Sequence, residues 1–274
     1  MIALITGASS GIGAATARKM ISEGWIVYGL ARDKKGLESV DGVRPLVADM
    51  TDSKSLEKAL KQLLSEENRI DVLVNNAGYG LYGTIEDVPL DAARDQFEVN
   101  VFGLARLTQL VLPFMRERNS GTIINISSMA GKIYTPLGGW YHASKYALEG
   151  LSDCLRLETK AFNLKVVLIE PGAINTPWGK TARDNLTKYS GNGAYAAFAE
   201  ASAKATLQAY DNPDNLTSPE EVANIIYKAA TSRNPKSRYV VGKFARPLLL
   251  IHKFLGDRVY DWLAMRAVHR YMSN

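Results

Sequence analysis

Short apolar runs alternate with longer amphipathic segments through the first two thirds of the chain. The apolar runs are continuous stretches of Val, Ile and Leu, which is typical of parallel strands buried on both faces of a sheet. They predict strands over Ile2–Thr6, Trp25–Ala31, Arg44–Ala48, Ile70–Asn75, Gly121–Ser127, Leu164–Glu170 and Tyr239–Val241.

The segments between these runs are rich in helix formers. They predict helices over Gly11–Ser22, Ser53–Ser65, Asp91–Arg118 and Tyr141–Phe162. Strands that alternate with helices from the first residue indicate an α/β protein with a Rossmann-like, doubly wound parallel sheet. No repeat and no linker divides the chain, so we expect a single domain with a C-terminal helical extension.

Within that domain, we predict a catalytic, dinucleotide-binding part over residues 1–242 and the extension over residues 243–274. Residues 177–213 are rich in Ala, Asn, Lys and Gly, and they interrupt the alternation directly after a strand. Loops at that end of a sheet carry function, so we expect a substrate lid there.

The composition is that of a soluble globular protein, with 46% apolar and 22% charged residues among 274. A single cysteine excludes an internal disulfide, and a strand beginning at Ile2 leaves no room for a targeting segment, so we expect a cytoplasmic protein. The histidines, which we interpret as surface or packing residues, are too scattered to predict a metal site: His142, His252 and His269.

The net charge of +5 is unevenly distributed. Residues 233–274 hold nine Lys or Arg and two Asp, interleaved with large apolar side chains such as Phe254 and Trp262. Such a segment can be an amphipathic helix pair packed on the domain, or a peripheral contact with a membrane or a lipid substrate. No nucleic-acid recognition motif accompanies the charge, so we do not expect nucleic-acid binding.

A glycine-rich turn joins the first strand to the first helix and has the pattern Gly-x-x-x-Gly-x-Gly. Glycines let the backbone approach a pyrophosphate, and the helix N-terminus that follows favours negative charge. We therefore predict that a dinucleotide binds at Gly7, Ser9, Ser10, Gly11, Ile12 and Gly13.

The choice of dinucleotide depends on the end of the second strand, where an acidic residue would bind the adenosine ribose and exclude a 2′-phosphate. Here Ala31 occupies that position and Arg32 follows it. A guanidinium can bind phosphate oxygens in a bidentate manner. Asp33 could bind ribose hydroxyls, but it lies two residues late. We predict NADP as cofactor, with NADPH preferred over NADH.

Two further strand ends belong to the predicted cofactor site. Asp49, after the third strand, could bind the adenine amino group or could hold a turn. The sequence Asn76-Ala77-Gly78 follows the fourth strand, where small residues let the backbone lie against a ribose and asparagine can tie neighbouring strands.

Tyr141 and Lys145 lie four residues apart in a predicted helix, where this spacing makes them neighbours. Tyr239 and Lys243 have the same spacing, but on a strand that places them about 13 Å apart. Together with Ser128, thirteen residues before Tyr141, the helical pair can move a proton to or from a carbonyl oxygen.

These residues resemble the short-chain dehydrogenase/reductase family in order and spacing, and the match extends over most of residues 2–176. The resemblance implies that Tyr141 exchanges a proton with the substrate oxygen as hydride is transferred, and that Ser128 holds this oxygen, with Ser127 as a competitor. It further implies that Lys145 binds the nicotinamide ribose and, with the oxidised nicotinamide, lowers the pKa of Tyr141. Asn100 would hold a water that passes protons to Lys145.

The resemblance also extends the cofactor site and predicts an assembly. The nicotinamide pocket would be completed by Pro171, Gly172, Ile174 and Thr176. Members of the family pair through the helices that here carry Asn100 and Tyr141, so we expect a homodimer or homotetramer.

Residues 27–32 and 76–80 resemble the branch of the family that acts on steroids and retinoids. We predict an NADP(H)-dependent oxidoreductase that interconverts a hydrophobic ketone or aldehyde and its alcohol. The alternatives are a 3-oxoacyl thioester reductase and a non-catalytic NADPH-binding sensor or scaffold. The side chains that could line an apolar cleft are Leu137, Trp140, Trp178, Tyr189, Tyr195 and Phe198.

Overall fold

A computed structural model describes residues 1–272, so that residues 273 and 274 of the predicted extension lie outside the described part. Its sheet has seven parallel strands in the order β3-β2-β1-β4-β5-β6-β7, which confirms the doubly wound α/β fold. The strands are β1 Ile2–Thr6, β2 Ile26–Ala31, β3 Val43–Val47, β4 Val72–Asn75, β5 Gly121–Ile126, β6 Leu164–Pro171 and β7 Arg238–Val241.

Ten α-helices lie between and after the strands of the described chain. They are α1 Gly11–Ser22, α2 Lys34–Glu38, α3 Ser53–Glu67, α4 Leu90–Phe97, α5 Leu104–Glu117, α6 Gly139–Glu158, α7 Trp178–Ser190, α8 Ala196–Leu207, α9 Pro219–Thr231 and α10 Ala245–Met272.

Alternate side chains of the central strands point into two apolar cores, one on each face of the sheet. On β1, Ala3 and Ile5 pack into the first core, and Ile2 and Leu4 pack into the second. Helices α1 and α9 close the first core, and α3 and α5 close the second. Because both faces are covered, the strands are continuous apolar runs in the sequence.

Local sequence signals set several helix ends. The Asp52 side chain accepts a hydrogen bond from the Lys54 N–H at 2.9 Å and begins α3, which ends at Asn68 in the left-handed conformation. Ser218 accepts a bond from the Glu221 N–H at 3.2 Å and precedes Pro219, the first residue of α9.

The helical stretch predicted over residues 91–118 is present at residues 90–117, but it is not a regular α-helix throughout. A π-helical turn at Glu98–Gly103 separates α4 from α5. Gly103 lies so close to the Met50 carbonyl that a Cβ there would overlap it, and Asn100 within the turn is buried. The turn therefore follows from contacts with a distant segment, and local helix propensity does not reveal it.

The region after β6 is also helical. The predicted lid segment contains α7 and α8, and the C-terminal extension is the interrupted helix α10, whose Gly256 has φ of 71°. Two helical halves thus occupy the extension, as predicted. No helix within residues 1–272 is both long enough and apolar enough to span a bilayer.

A buried amide network joins the centre of the sheet to the helices on one face. The Asn75 Nδ2 donates to the Asn125 Oδ1 at 2.9 Å and to the Thr108 hydroxyl at 3.0 Å. The Asn125 Nδ2 donates to the Ser152 hydroxyl at 2.8 Å. The network therefore links β4 and β5 to α5 and α6.

We expect Asn125→Ala to lower the free energy of unfolding by about 1–3 kcal/mol, because the buried Asn75 amide would lose an acceptor. Urea denaturation followed by circular dichroism measures this change. The control is Gln62→Ala on the exposed face of α3, for which we expect a change within about 0.5 kcal/mol. Equal effects of the two substitutions would contradict a stabilising role of the network.

Candidate active site

A cavity of about 970 Å³ opens at the carboxyl ends of the strands. The chain reverses its strand order between β1 and β4, and ligands of doubly wound sheets bind at such a reversal. The lining contains every residue predicted for catalysis or cofactor binding except Gly13 and Asn100. The sequence therefore located the cavity, and the two exceptions belong to its supporting structure.

The glycine-rich turn has the backbone shape that its sequence predicts. Gly7 and Gly11 have φ of 64° and 53°, which side chains other than glycine rarely allow. A Cβ at Gly13 would overlap the Gly7 carbonyl, so α1 can approach β1 only with glycine there. Ser10 makes no side-chain cap on α1, which leaves the first N–H groups of the helix for a ligand.

Asn76 fastens the end of β4 to this turn. Its backbone N–H donates to the Thr6 hydroxyl at 2.9 Å, and its side-chain Nδ2 donates to the Thr6 carbonyl at 2.9 Å. The Ala77 N–H donates to the same hydroxyl at 2.9 Å. The asparagine ties the neighbouring strands, and the Ala77-Gly78 backbone faces the cavity.

Arg32 lies directly after β2 and lines the cavity together with Asp49. Its side chain is 81% exposed and lies 3.9 Å from the Asp49 carboxylate. Asp49 uses its Oδ1 to accept hydrogen bonds from the Thr51 N–H and hydroxyl, both at 2.9 Å, so it holds a turn. Asp33 lines the same region and precedes α2 without capping it.

Tyr141 and Lys145 project from the first turns of α6 and are both buried. The Lys145 Nζ lies 5.9 Å from the centre of the Tyr141 ring and donates to the Ile126 carbonyl at 2.9 Å. Burial lowers the pKa of Lys145 to about 8, against the opposing effect of Glu149. The ammonium is thus held at the end of β5 beside the phenol.

Burial raises the pKa of Tyr141 to about 12, and a hydrogen bond with Ser128 opposes this rise. The sequence analysis expected a lowered pKa, with Lys145 as one cause. In the structure the loss of hydration on burial is the main cause of the raised pKa of Tyr141, which packs among aromatic rings.

Ser128 and Ser127 both lie at the end of β5, as expected from their adjacency. The Ser128 hydroxyl accepts from the Ala130 N–H at 3.1 Å and donates to the Pro171 carbonyl at 3.4 Å. The Ser127 hydroxyl is buried and has no hydrogen-bond partner among the described residues. The bond to Tyr141 distinguishes Ser128 from its neighbour.

Asn100 braces the wall of the site from the π-helical turn. Its Oδ1 accepts from the Tyr79 N–H at 3.1 Å, and its Nδ2 donates to the Tyr79 carbonyl at 3.1 Å and the Ser144 hydroxyl at 3.1 Å. Asn100 and Lys145 both lie next to Gly78. The side-chain amide is therefore used to join α6 to the segment after β4.

The open part of the cavity beyond Tyr141 is aromatic. Trp178 lies 5.3 Å from Tyr141 between ring centres, Tyr82 lies 6.1 Å from it, and Tyr210 lies 5.7 Å from Trp178. We name Tyr82, Trp178 and Tyr210 the aromatic chamber. The sequence did not indicate Tyr82 or Tyr210, because each lies in an irregular segment without hydrophobic periodicity.

The other predicted cleft residues are divided between three places. Leu137 and Phe198 pack in the apolar cluster that surrounds the chamber, and Trp140 and Tyr189 belong to a neighbouring cluster. Tyr195 donates a hydrogen bond to Glu86 at 2.8 Å and does not line the cavity.

Comparison with known proteins identifies the family. The profile of the short chain dehydrogenases matches residues 1–187. The chain belongs to the short-chain dehydrogenase/reductase family. As such, it is an oxidoreductase that acts on CH–OH groups.

Two curated relatives and one solved structure align along nearly the whole chain. The 3-ketodihydrosphingosine reductase of Bacteroides thetaiotaomicron is 39% identical over 95% of each chain. The NADPH-dependent 3-dehydrocapnine reductase of Ornithobacterium rhinotracheale is 35% identical over 94% of this chain and 95% of its own. A short-chain dehydrogenase from Streptomyces avermitilis has a TM-score of 0.81 at 33% identity, covering 92% of this chain and 91% of its own.

His142 has a packing role in this short-chain dehydrogenase, as the sequence analysis expected despite its position between Tyr141 and Lys145. Its Nε2 accepts from the Thr135 N–H at 3.0 Å, so its Nδ1 carries the proton that bonds the Ala130 carbonyl at 3.0 Å. Burial lowers its pKa and keeps the ring neutral. Among residues 1–272, no group of three or more His, Cys, Asp or Glu side chains could hold a metal ion.

A charged cluster behind the site was not foreseen, because its members are far apart in sequence. Arg238 on β7 lies 3.0 Å from Glu149, 2.6 Å from Asp153 and 3.1 Å from Glu170. Lys132 also lies 3.1 Å from Glu149. Burial and the nearby Glu149 raise the pKa of Glu170 to about 7.

Glu170→Gln should remove a pH-dependent loss of stability. Between the unfolded pKa near 4.5 and the folded pKa of about 7, the unfolded chain loses the Glu170 proton while the folded protein keeps it. Wild type should therefore lose stability relative to the variant as pH rises through this window, with a constant difference above it. Urea unfolding from pH 4 to 8, with exposed Glu158→Gln as control, measures it; a difference independent of pH would refute the prediction.

Proposed function

We propose that this protein is an NADPH-dependent reductase of amphiphilic ketones, in which a long alkyl chain lies next to a 3-keto group and a polar end. The supporting observation is the position of Tyr141, which lies between the dinucleotide turn and the aromatic chamber. The names of both curated relatives specify reduction of a keto or dehydro group at carbon 3.

In this proposal the nicotinamide supplies hydride to the carbonyl carbon. Tyr141 donates the phenolic proton to the carbonyl oxygen, and Ser128 orients that oxygen from the bond it makes with the phenol. A pKa of about 12 keeps Tyr141 protonated at neutral pH, which suits the acid required for reduction. Lys145, fixed by the Ile126 carbonyl, binds the ribose and hands a proton back to Tyr141.

The proposed cofactor site follows the cavity wall. The N–H groups of α1 and the backbone at Gly11 and Ile12 bind the pyrophosphate. The Arg32 guanidinium would bind the 2′-phosphate, since its side chain is 81% exposed and its ion pair with Asp49 is long, at 3.9 Å. The nicotinamide end is closed by Pro171, Gly172, Ile174 and Thr176, of which Thr176 packs next to Gly11.

Asn100 contributes to the same mechanism as a positioning residue. It fixes the backbone after β4, next to the ammonium of Lys145, and there we propose that it orders a water for proton return. A side chain with both polar ends bonded to protein can hold that position without moving.

We further propose that α7 and α8 form a substrate lid over residues 177–213, within a catalytic part that ends near residue 242. Trp178, at the start of α7, lies against Tyr141, and Phe198 of α8 packs in the same cluster. Movement of these helices would open the aromatic chamber to an alkyl chain.

A homodimer through the π-helical turn, α5 and α6 is also proposed. This face carries large exposed apolar side chains, whose burial would stabilise a pair of chains. They are Phe102, Phe114, Tyr146 and Leu151.

Wild type should oxidise NADPH with 3-ketodihydrosphingosine, and more slowly or not at all with steroid ketones, retinal and 3-oxoacyl thioesters. Tyr141→Phe should lower kcat by at least about 100-fold, since the phenolic proton is lost, and should leave NADPH affinity unchanged. Absorbance at the NADPH band and fluorescence titration measure the two.

The matched control is Tyr239→Phe, which alters the tyrosine of β7 that has the same spacing to a lysine and does not line the cavity. A Tyr141→Phe variant with more than about a tenth of the wild-type rate would show that the proton donor is misassigned. Tight NADPH binding without turnover of any ketone would favour the sensor alternative.

Arg32→Ala should reduce the preference for NADPH over NADH by about 10- to 150-fold, the effect of one charge-assisted hydrogen bond to phosphate. Kd values for both dinucleotides, measured by fluorescence titration, test this. Lys61→Ala, an exposed site on α3, is the control for loss of positive charge. An unchanged ratio of the two affinities would refute the assignment of Arg32.

A further inference from the structure

Helix α10 is fastened to the wall of the substrate cleft by aromatic side chains. The rings of Tyr134, His252 and Tyr260 contact one another: the ring centre of Tyr134 lies 5.6 Å from His252 and 5.2 Å from Tyr260, which are 5.1 Å apart. The Tyr260 hydroxyl donates to the Tyr134 carbonyl at 2.9 Å, and the Tyr134 hydroxyl donates to Asp261 at 2.9 Å. His252 and Tyr260 lie on opposite sides of the break at Gly256, so both halves of the helix contact the loop residue Tyr134.

The loop that α10 holds belongs to the cleft. Its residues Ile133 and Thr135, on either side of Tyr134, line the cavity. Helix α10 also packs against α8, whose Ala199 lies in the cluster around the aromatic chamber. The extension thus covers two walls of the space beyond Tyr141.

The outward side of α10 is apolar as well. We name the outer patch as the large exposed side chains Leu250, Phe254, Leu255, Val259, Trp262 and Leu263. Phe254 is 72% exposed and Trp262 is 57% exposed, while the inward side already packs through Tyr260 and Val268. These exposed side chains lie within fourteen positions of the chain, on both sides of the break at Gly256, and such a concentration of exposed apolar residues marks an interaction site.

Positive charge surrounds the outer patch. The helix carries Arg246, Lys253, Arg258, Arg266 and Arg270. Lys253 lies 5.5 Å from the Phe254 ring and Arg266 lies 5.0 Å from the Trp262 ring, so two cations sit over apolar side chains of the patch. The two acidic residues of the helix, Asp257 and Asp261, are bonded to His252 and Tyr134.

This combination fits the surface of an anionic bilayer. Apolar side chains enter the boundary between headgroups and acyl chains, while lysine and arginine reach the lipid phosphates. Each basic residue near such a surface raises the affinity for the bilayer by up to about tenfold. A second copy of the chain would bring the same cations face to face in a two-fold interface, which opposes pairing through this patch.

We propose that the outer patch of α10 docks on an anionic lipid surface and holds the mouth of the cleft at the bilayer. The docking itself is independent of catalysis. The idea that an amphiphilic ketone then enters the cleft from the bilayer rests on the proposed function. The loop at Tyr134 would couple the docked helix to the chamber.

Vesicle flotation with the full chain tests the docking without substrate. Wild type should bind vesicles of phosphatidylcholine mixed with phosphatidylglycerol at least about tenfold more strongly than vesicles of phosphatidylcholine alone, and high salt should weaken this binding. The double variant Phe254→Ser and Trp262→Ser should lower binding to the mixed vesicles at least about tenfold. Arg258→Glu with Arg266→Glu should remove the preference for the anionic lipid.

The control is Leu157→Ser, an exposed leucine at the end of α6, which should bind vesicles as wild type does. Thermal unfolding and NADPH affinity should stay unchanged in all variants, because the altered side chains point outward. Equal binding by wild type and the Phe254/Trp262 variant would overturn the proposal. Self-association of wild type in the absence of vesicles, measured by sedimentation velocity and abolished in the same variant, would also overturn the proposal.

A kinetic measurement separates the docking from the proposed function. With 3-ketodihydrosphingosine in mixed vesicles, the Phe254/Trp262 variant should lose at least about tenfold in kcat/KM, yet match wild type on a short water-soluble ketone. Vesicle binding without turnover of any ketone would support the docking and overturn the proposed function. Equal turnover of the vesicle-held ketone by both proteins would overturn the delivery role.

Discussion

The buried ammonium of Lys145 is the constraint around which this site is organised. Burial disfavours its charge, and the protein opposes that effect with the Ile126 carbonyl and with Glu149 one turn further along α6. Glu149 is itself buried and requires cations, which come from β7 and from the loop after β5. Strands and loops that touch no ligand are therefore needed to keep one lysine charged beside Tyr141.

The cavity has a polar half and an aromatic half. The half that contains the glycine-rich turn is built from backbone, small residues and Arg32, and it offers N–H groups and positive charge. The other half is the aromatic chamber, which offers apolar ring surface. The phenol of Tyr141 lies at the boundary. Its raised pKa is a consequence of that placement, since a phenolate is poorly hydrated on either side.

The sequence predicted the sheet, and nearly all of the predicted site residues line the cavity, because both depend on short-range patterns. Continuous apolar runs identify buried parallel strands. The turn requires glycines at positions with φ near 60°, and these glycines are recognisable as a sequence motif. Tyr82 and Tyr210 of the aromatic chamber, the Arg238 cluster and the π-helical turn were missed for a shared reason. Each depends on residues brought together from distant parts of the chain, as when the Met50 carbonyl meets Gly103. Helix α10 is apolar both on its packed side and on its exposed side. The sequence alone did not distinguish these two sides, which are defined by the packing of the helix on Tyr134.

The π-helical turn also fixes an angular relationship between two parts of the molecule. An α-helix turns by about 100° per residue, so the extra residue in this turn sets α4 and α5 at rotations that a regular helix could not combine. Helix α5 presents Leu107 and Val111 to the core, while Asn100 bonds to Tyr79 and to Ser144 of α6. Loss of one residue here would turn this brace away from the lysine. The length of this short stretch is therefore constrained in addition to the identities of Asn100 and Gly103.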